Sequence, residues 1–198
     1  VGKKPLIFTN NDSAYETAIE FKKNGINPLV LDTRINPKSE IIDEAKSLNI
    51  NIKFSYVVIA AKGYKKVKSA EIAKISEDKK DLGQIININC DCICVSGFWT
   101  PTIHLASQSG NKTKFNKEID AFVPGQSKQE ETTVGSANGT FTLEQTLKKS
   151  FEVGHELSKK ITNKDNKVSV PQVAEKKSTQ HDKFWCVPLP KGKKYKRF

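Results

Sequence analysis

Three cysteines stand in strict alternation at Cys90, Cys92 and Cys94, and a fourth lies far away at Cys186. Thiolates bind zinc, and neighbouring thiols can oxidise. Structural zinc sites use two pairs of ligands, and Cys186 alone supplies no second pair. A disulfide between i and i+2 neighbours has poor geometry. On a strand the alternation puts all three thiols on one face. The expectation is therefore three small, reduced, metal-free hydrophobes in a cytoplasmic protein. His104, His155 and His181 have no Cys or carboxylate at catalytic spacing, and His155 falls on a helix as a surface or packing residue. No nucleophile elbow, phosphate-binding loop or acid pair with a matching base is present, so no catalytic residue is assigned.

Two turns could approach a phosphate. The first is Thr9-Asn10-Asn11-Asp12-Ser13-Ala14, between an apolar stretch and a helical pattern. A dinucleotide site places pyrophosphate at such a helix start, where N–H groups and the dipole favour anions. An acidic residue about 20 residues on then takes the ribose hydroxyls, and Asp32 stands there. The glycines of the fingerprint are missing. Asn tolerates the turn geometry, but Asp12 adds negative charge beside a negative ligand. The alternative is a domain of dinucleotide-binding shape without a ligand. The second turn is Gly135-Ser136-Ala137-Asn138-Gly139-Thr140, running into another helical pattern. Gly135, Asn138, Gly139 and Thr140 are its candidate cofactor contacts, with a plain strand-to-helix turn as the alternative.

The elements that must position these turns follow from periodicity. Leu6 to Thr9 reads as a buried strand. Ala14, Tyr15, Ala18, Ile19 and Phe21 recur at helical spacing, Ser13 with Glu16 predicts a capping box, and Gly25 ends that helix. Pro28 to Asp32 is a second strand. Asn36-Pro37 predicts the next helix start, with Ile41, Ile42, Ala45 and Leu48 as its apolar face. Ile50–Phe54, Tyr56–Ala61 and Val67–Ile75 read as strands, Lys79–Asp81 as a charged turn, and Cys92–Val95 as a buried strand. Strand, crossover helix, strand argues a parallel, doubly wound sheet. Thr132–Val134 predicts a brief strand. Thr142 with Gln145 predicts a second capping box, and Leu143, Leu147, Phe151, Leu157 and Ile161 mark a long helix.

The chain has 198 residues, 36% hydrophobic and 28% charged, which excludes a wholly disordered chain. No apolar run reaches membrane-spanning length, and no signal-peptide core is present. Zero Met and an opening at Val1 read as an internal window of a longer protein. Of the net charge of +11, residues 163–198 carry +7, with ten Lys/Arg against three Asp/Glu. No aromatic or Gly-rich signature of RNA binding accompanies this basic tail, so neither a nucleic-acid nor a membrane partner is expected.

In order along the chain, "FTNNDSAYETA", "CDCICVSGFWTP", "DAFVPG" and "GSANGTFTLEQTL" resemble the second half of the flavoprotein disulfide-reductase architecture. More closely they resemble the alpha subunit of heterotetrameric sarcosine oxidases, over about residues 5–162, with "FWCVPLP" fitting the onward path. The resemblance implies an α/β fold: a Rossmann-like inserted domain at 1–95, a returning segment of a second nucleotide-binding domain at 96–162, and a basic linker at 163–198 towards a missing C-terminal domain. It implies a complex converting sarcosine to glycine with hydrogen peroxide, the one-carbon unit leaving as formaldehyde or passing to tetrahydrofolate in the missing C-terminal part. Its cofactors would be noncovalent NAD, held mostly by a missing N-terminal half, with FAD and FMN elsewhere in the complex. Its partners would be the other subunits, and the chain alone would be inactive. Phe98 departs from the "VSGGWTP" of the relatives, which puts a ligand contact at Gly97 in question. The alternatives are a subunit of another amine dehydrogenase, such as N-methylglutamate dehydrogenase, and a non-catalytic scaffold with a basic tail.

Overall fold

The computed structural model describes residues 2–97, 99–164, 169–173, 182–184 and 186–190. The expectations placed on Phe98, His181, Trp185 and most of the basic tail lie outside the described residues. Two compact units emerge, one formed by Val1–Phe98 with Thr179–Phe198 and the other by Trp99–Ser178.

The first unit begins β1 (Pro5–Thr9), α1 (Ser13–Lys23), β2 (Leu29–Asp32), α2 (Glu40–Ser47) and β3 (Asn51–Phe54). It continues β4 (Tyr56–Gly63), β5 (Val67–Ile75), β6 (Leu82–Asn89) and β7 (Cys92–Ser96). Four strands make a sheet in the order β3-β2-β1-β7, and every neighbouring pair is parallel. The α/β class expected from the sequence is what the chain adopts. Strands β4, β5 and β6 form a separate antiparallel meander.

Alternation assigns the two faces of the parallel sheet. Ile7 and Val30 are buried with Ala14, Tyr15, Ala18 and Ile19 of α1 and Ile42 and Ala45 of α2. Their neighbours in the chain, Leu6 and Leu31, are buried with Ala70 and Ile72 of β5. Both faces of the sheet are covered, as parallel sheets require. Each such aliphatic side chain contributes roughly 1.5–3 kcal/mol on full burial.

Three local expectations are corrected here. Cys92 and Cys94 share a strand face, but Cys90 precedes β7 and packs with Leu6 and Ile72, whereas Cys94 packs against the helix-side core. The strand does not extend back to Cys90, so alternation stops governing it. Helix α1 does not open on a Ser13–Glu16 capping box. Ser13 is already helical, and Asn11 Oδ1 accepts from the Ser13 amide at 3.0 Å and from its hydroxyl at 2.6 Å. Helix α2 starts at Glu40 rather than after Asn36. Ser39 is extended, and its carbonyl accepts from Ile42 and Asp43.

The second unit contains α3 (His104–Gln108), the hairpin β8 (Thr113–Asn116) and β9 (Ala121–Pro124), a short 3-10 helix at Gly135–Asn138, and α4 (Leu143–Thr162). Among the described residues its buried apolar side chains are few: Pro101, Ala106, Ala121 and Val123. No residue of α4 is buried. Thr132–Val134 forms no strand; that stretch is irregular and passes straight into the 3-10 turn. Thr142 caps α4 as expected, accepting from the Gln145 amide at 3.3 Å.

Candidate functional site

In open α/β sheets ligands bind outside the carboxyl ends of the strands, where the chain departs to opposite sides. Here that point lies between β1 and β7. The chain leaves β1 towards β2 on one side and reaches β7 on the other only after α2 and the meander. A cavity of about 110 Å³ sits at this edge, lined by residues that include Phe8, Thr9, Thr33, Val95, Ser96 and Phe184. Ligand pockets usually run from about 300 Å³ upwards, so this opening is small for a dinucleotide.

The residues around it explain the size. A dinucleotide needs unspent N–H groups at the start of α1. The Asn11 amide donates to Thr9 Oγ1 at 3.1 Å, and the Ser13 amide donates to Asn11 Oδ1 at 3.0 Å. The Asn11 side-chain amide crosses to β7 and donates to the Ser96 carbonyl at 3.2 Å and to the Gly97 carbonyl. One buried asparagine thus stitches the ends of β1 and β7 together, and the Asn11 and Ser13 amides are engaged within the turn.

The other flank is closed by charge. Arg34 follows β2 and turns inward. It contacts Asp32 Oδ2 at 2.8 Å and Asp12 Oδ1 at 2.7 Å. Asp32 also accepts from the Tyr15 hydroxyl at 2.8 Å and from the Arg34 backbone amide at 3.0 Å. Burial opposes the charge on Arg34, but hydrogen bonds and attraction to Asp32, then Asp12, outweigh it and hold the guanidinium firmly protonated. The Tyr15 hydroxyl is pushed well up, first by burial and then by the Asp32 carboxylate, so it remains a donor. Asp32 is fully buried. The carboxylate placed by the sequence at the ribose position is engaged by protein partners, and Asp12 meets a cation rather than a phosphate. The residues present at this turn do not fit a pyrophosphate. Thr33 lines the cavity, and its buried Oγ1 has no hydrogen-bond partner among the described residues.

The sequence reading missed Tyr15, Arg34 and the role of Asn11. Arg34 was the findable one, since Asp-x-Arg at a strand end offers a local ion pair. Tyr15 read only as one of five apolar positions.

The other candidates, Gly135, Asn138, Gly139 and Thr140, lie in the second unit. Gly135 and Gly139 have φ near +73° and +77°, where glycine is favoured. A Cβ on Gly139 would sit 2.5 Å from Ile119 Cδ1 and 3.0 Å from Val123 Cγ1. That glycine is required by packing within the unit. The Gly139 and Thr140 amides donate to the Ser136 and Gly135 carbonyls, both at 3.1 Å. Thr140 is buried, and its hydroxyl accepts from Lys149 at 3.0 Å. Asn138 is half-buried at the end of the 3-10 helix. This turn carries no acidic residue.

No protein-family model matches the chain. It is 25% identical over 193 residues to sarcosine oxidase subunit alpha of Corynebacterium sp. (strain P-1), covering 96% of this chain and 20% of that protein. It is 30% identical over 141 residues to sarcosine oxidase subunit alpha of Rhizobium meliloti (strain 1021), covering 70% of this chain and 13% of that protein. The chain therefore spans a fifth or less of the length of these relatives. Among solved structures, thioredoxin reductase of Lactococcus lactis matches with a TM-score of 0.53 at 16% identity, over 68% of this chain and 44% of that one. The flavoprotein disulfide reductase RclA of Escherichia coli matches with a TM-score of 0.56 at 10% identity, over 81% and 36%. These structures establish the fold alone. Along nearly its whole length the chain is similar to part of sarcosine oxidase subunit alpha, in an architecture shared with the flavoprotein disulfide reductases.

Proposed function

We propose that this chain works as part of the alpha subunit of a multi-subunit amine oxidoreductase of the sarcosine oxidase type. It serves as the nucleotide-associated structural region rather than as the seat of substrate chemistry. The observation that carries the reading is the match to sarcosine oxidase subunit alpha across 96% of the chain. The lack of fit between the first turn and pyrophosphate agrees with it: such a segment shapes and joins the assembly without holding the reacting atoms. In this reading the domains run 1–95, 96–162 and 163–198. Any NAD contact made by this part falls on the Gly135–Thr140 turn, with NAD bound chiefly by the N-terminal half of the subunit. FAD, FMN and tetrahydrofolate belong to other parts of the complex. Among the described residues no helix is long and apolar enough to cross a membrane.

The test is affinity purification of the protein from its native source, followed by assay with sarcosine. The expected result is co-purifying subunits and hydrogen peroxide released with sarcosine, whereas the isolated 198-residue chain with added flavin releases none. A purified assembly that oxidises N-methylglutamate but not sarcosine would move the proposal to the related dehydrogenases. An assembly that oxidises no secondary amine would overturn it.

A further inference from the structure

The strand edge that fails to fit a dinucleotide is occupied by the chain itself. Residues 182–184 and 186–190 belong to the first unit although more than eighty residues separate them from β7. The Asp182 amide donates to the Asn10 carbonyl at 2.9 Å, and Asn10 Nδ2 donates to the Asp182 carbonyl at 3.0 Å. This reciprocal pair lies on the turn between β1 and α1. The Asp182 carboxylate forms an ion pair with Lys79 Nζ, and the same ammonium lies 5.7 Å from the centre of the Phe184 ring. Phe184 and Val187 then line the cavity against Phe8, Thr9 and Val95.

We propose that the carboxyl edge of the parallel sheet is a peptide-docking groove whose occupant is this chain's own residues 182–184 with Val187, read by Lys79 and Asn10. Three observations carry it. The contacts are of the kinds that recognise a peptide: main-chain pairing on Asn10, a charge on Asp182 and an aromatic ring in Phe184. Lys79 is presented by a built turn, not by a loose loop. The Lys79 and Asp81 amides donate to the Ser76 carbonyl and hydroxyl, both at 3.0 Å, and Lys80 donates to Asp78 at 3.2 Å. The groove is also better suited to a neutral backbone than to a phosphate, because the Asn11 and Ser13 amides are engaged within the turn and Arg34 is paired with Asp12 and Asp32. The inference stands independently of whether the assembly oxidises an amine.

Amide hydrogen exchange of the full 198-residue chain tests it. In the wild type the amides of Asp182 and Phe184 exchange at least tenfold more slowly than unstructured ones. Lys79→Ala speeds them about tenfold, the sum expected for a half-buried ion pair and a cation–π contact. Lys65→Ala, on the exposed turn before β5, leaves them unchanged. Asp182→Asn repeats the effect from the other partner, and amides of β1 and β7 report that the fold is intact in each variant. Millimolar NADH leaves the segment's exchange as it was. Unstructured exchange rates in the wild type would overturn the proposal, as would no effect of Lys79→Ala and Asp182→Asn. Acceleration by NADH would overturn it in a different direction, making the segment a displaceable lid over a nucleotide site.

Discussion

Two turns of this molecule lead into helices and look alike in sequence, yet they are built on opposite principles. The turn before α1 has no glycine between residues 9 and 14, and side chains close it: Thr9, Asn11 and the Asp12–Arg34 pair. The turn before α4 is closed by backbone. Gly135 and Gly139 adopt left-handed conformations, and the Gly139 and Thr140 amides return to the Ser136 and Gly135 carbonyls of the same 3-10 helix. Both turns therefore spend N–H groups that an anion would need. The lesson is that a strand-turn-helix outline is not an anion site in itself. What decides is which group has taken the donors.

The sharpest way to break this contrast is to remove the cation from the first turn. Arg34→Met leaves Asp12 and Asp32 buried without their shared partner. Breaking a buried pair this way costs about 4 kcal/mol, read as a lowered denaturation midpoint of the first unit. Adding Asp12→Ala and Asp32→Asn should recover part of the loss, because the uncompensated charges go with them. A cost below about 1 kcal/mol for Arg34→Met would mean that the cluster is solvated and does not close the turn.

On the second turn the same question is put to a glycine. Gly139→Ala adds a Cβ against Ile119 and Val123 at a left-handed backbone. Strain and overpacking together cost about 3 kcal/mol. Gly135→Ala meets only Thr146 Cγ2 at 3.3 Å, so it loses about 1–2 kcal/mol, chiefly backbone strain. Two units make a single unfolding midpoint ambiguous, so the readout is exchange protection of β9 and α4. Equal effects of the two substitutions would show that backbone conformation, not packing, governs the turn. A substitution at Gly139 also removes the fold of the turn, so loss of a ligand in that variant says nothing about contact.

How much of this was legible in the residues depends on the range of each interaction. The parallel sheet, its strands and the helix faces followed from alternation and helical spacing, because Leu6, Ile7, Val30 and Leu31 must be buried whatever surrounds them. The end of alternation at Cys90 was not legible, since it depends on where β1 stops pairing with β7. Nor was the helix start at Glu40, after an extended Ser39, where Asn36-Pro37 offered a stronger local pattern. Spacing alone offered Asp32 for ribose hydroxyls, whereas in the structure its carboxylate meets Tyr15 and Arg34. Its partners could not be known from spacing: Tyr15 is 17 positions away and Arg34 had to turn inward. The docking of Asp182 on Asn10 spans 172 positions and has no local signature at all.

A smaller effect belongs to the helix after the second turn. Thr142→Ala removes the side-chain acceptor of the Gln145 amide and costs about 1 kcal/mol. The loss should appear in α4 alone, by exchange or helical circular dichroism, and leave the first unit unchanged. Spread into the first unit would show that the two turns are energetically linked.

The smallest effect concerns the floor of the first turn, and it is read through pH. Cys94 pairs with Ile7 across the sheet, two residues before the Ser96 carbonyl that Asn11 grips. Burial, and then the Cys92 thiol at 3.8 Å, push the Cys94 thiol up to about 11 from an ordinary 9.0. Burial also raises Cys90, with Asp91 adding to it. A raised thiol favours the protonated, folded form, and unfolding at higher pH lets the thiol ionise. Its contribution to stability is therefore complete below about pH 9 and is lost as pH climbs towards 11. Cys94→Ala should flatten that part of the pH profile. Because the thiolate is the nucleophile, alkylation at pH 8 should strike the exposed Cys186 first and leave Cys94 and the buried Cys90 behind. Asn11→Ala cuts the stitch between β1 and β7, so it should speed labelling of Cys94 several-fold without altering exchange around Gly135–Thr140. If Cys94 in the wild type labels as fast as Cys186, the edge of the sheet is open, and the side-chain closure that separates the first turn from the second does not hold.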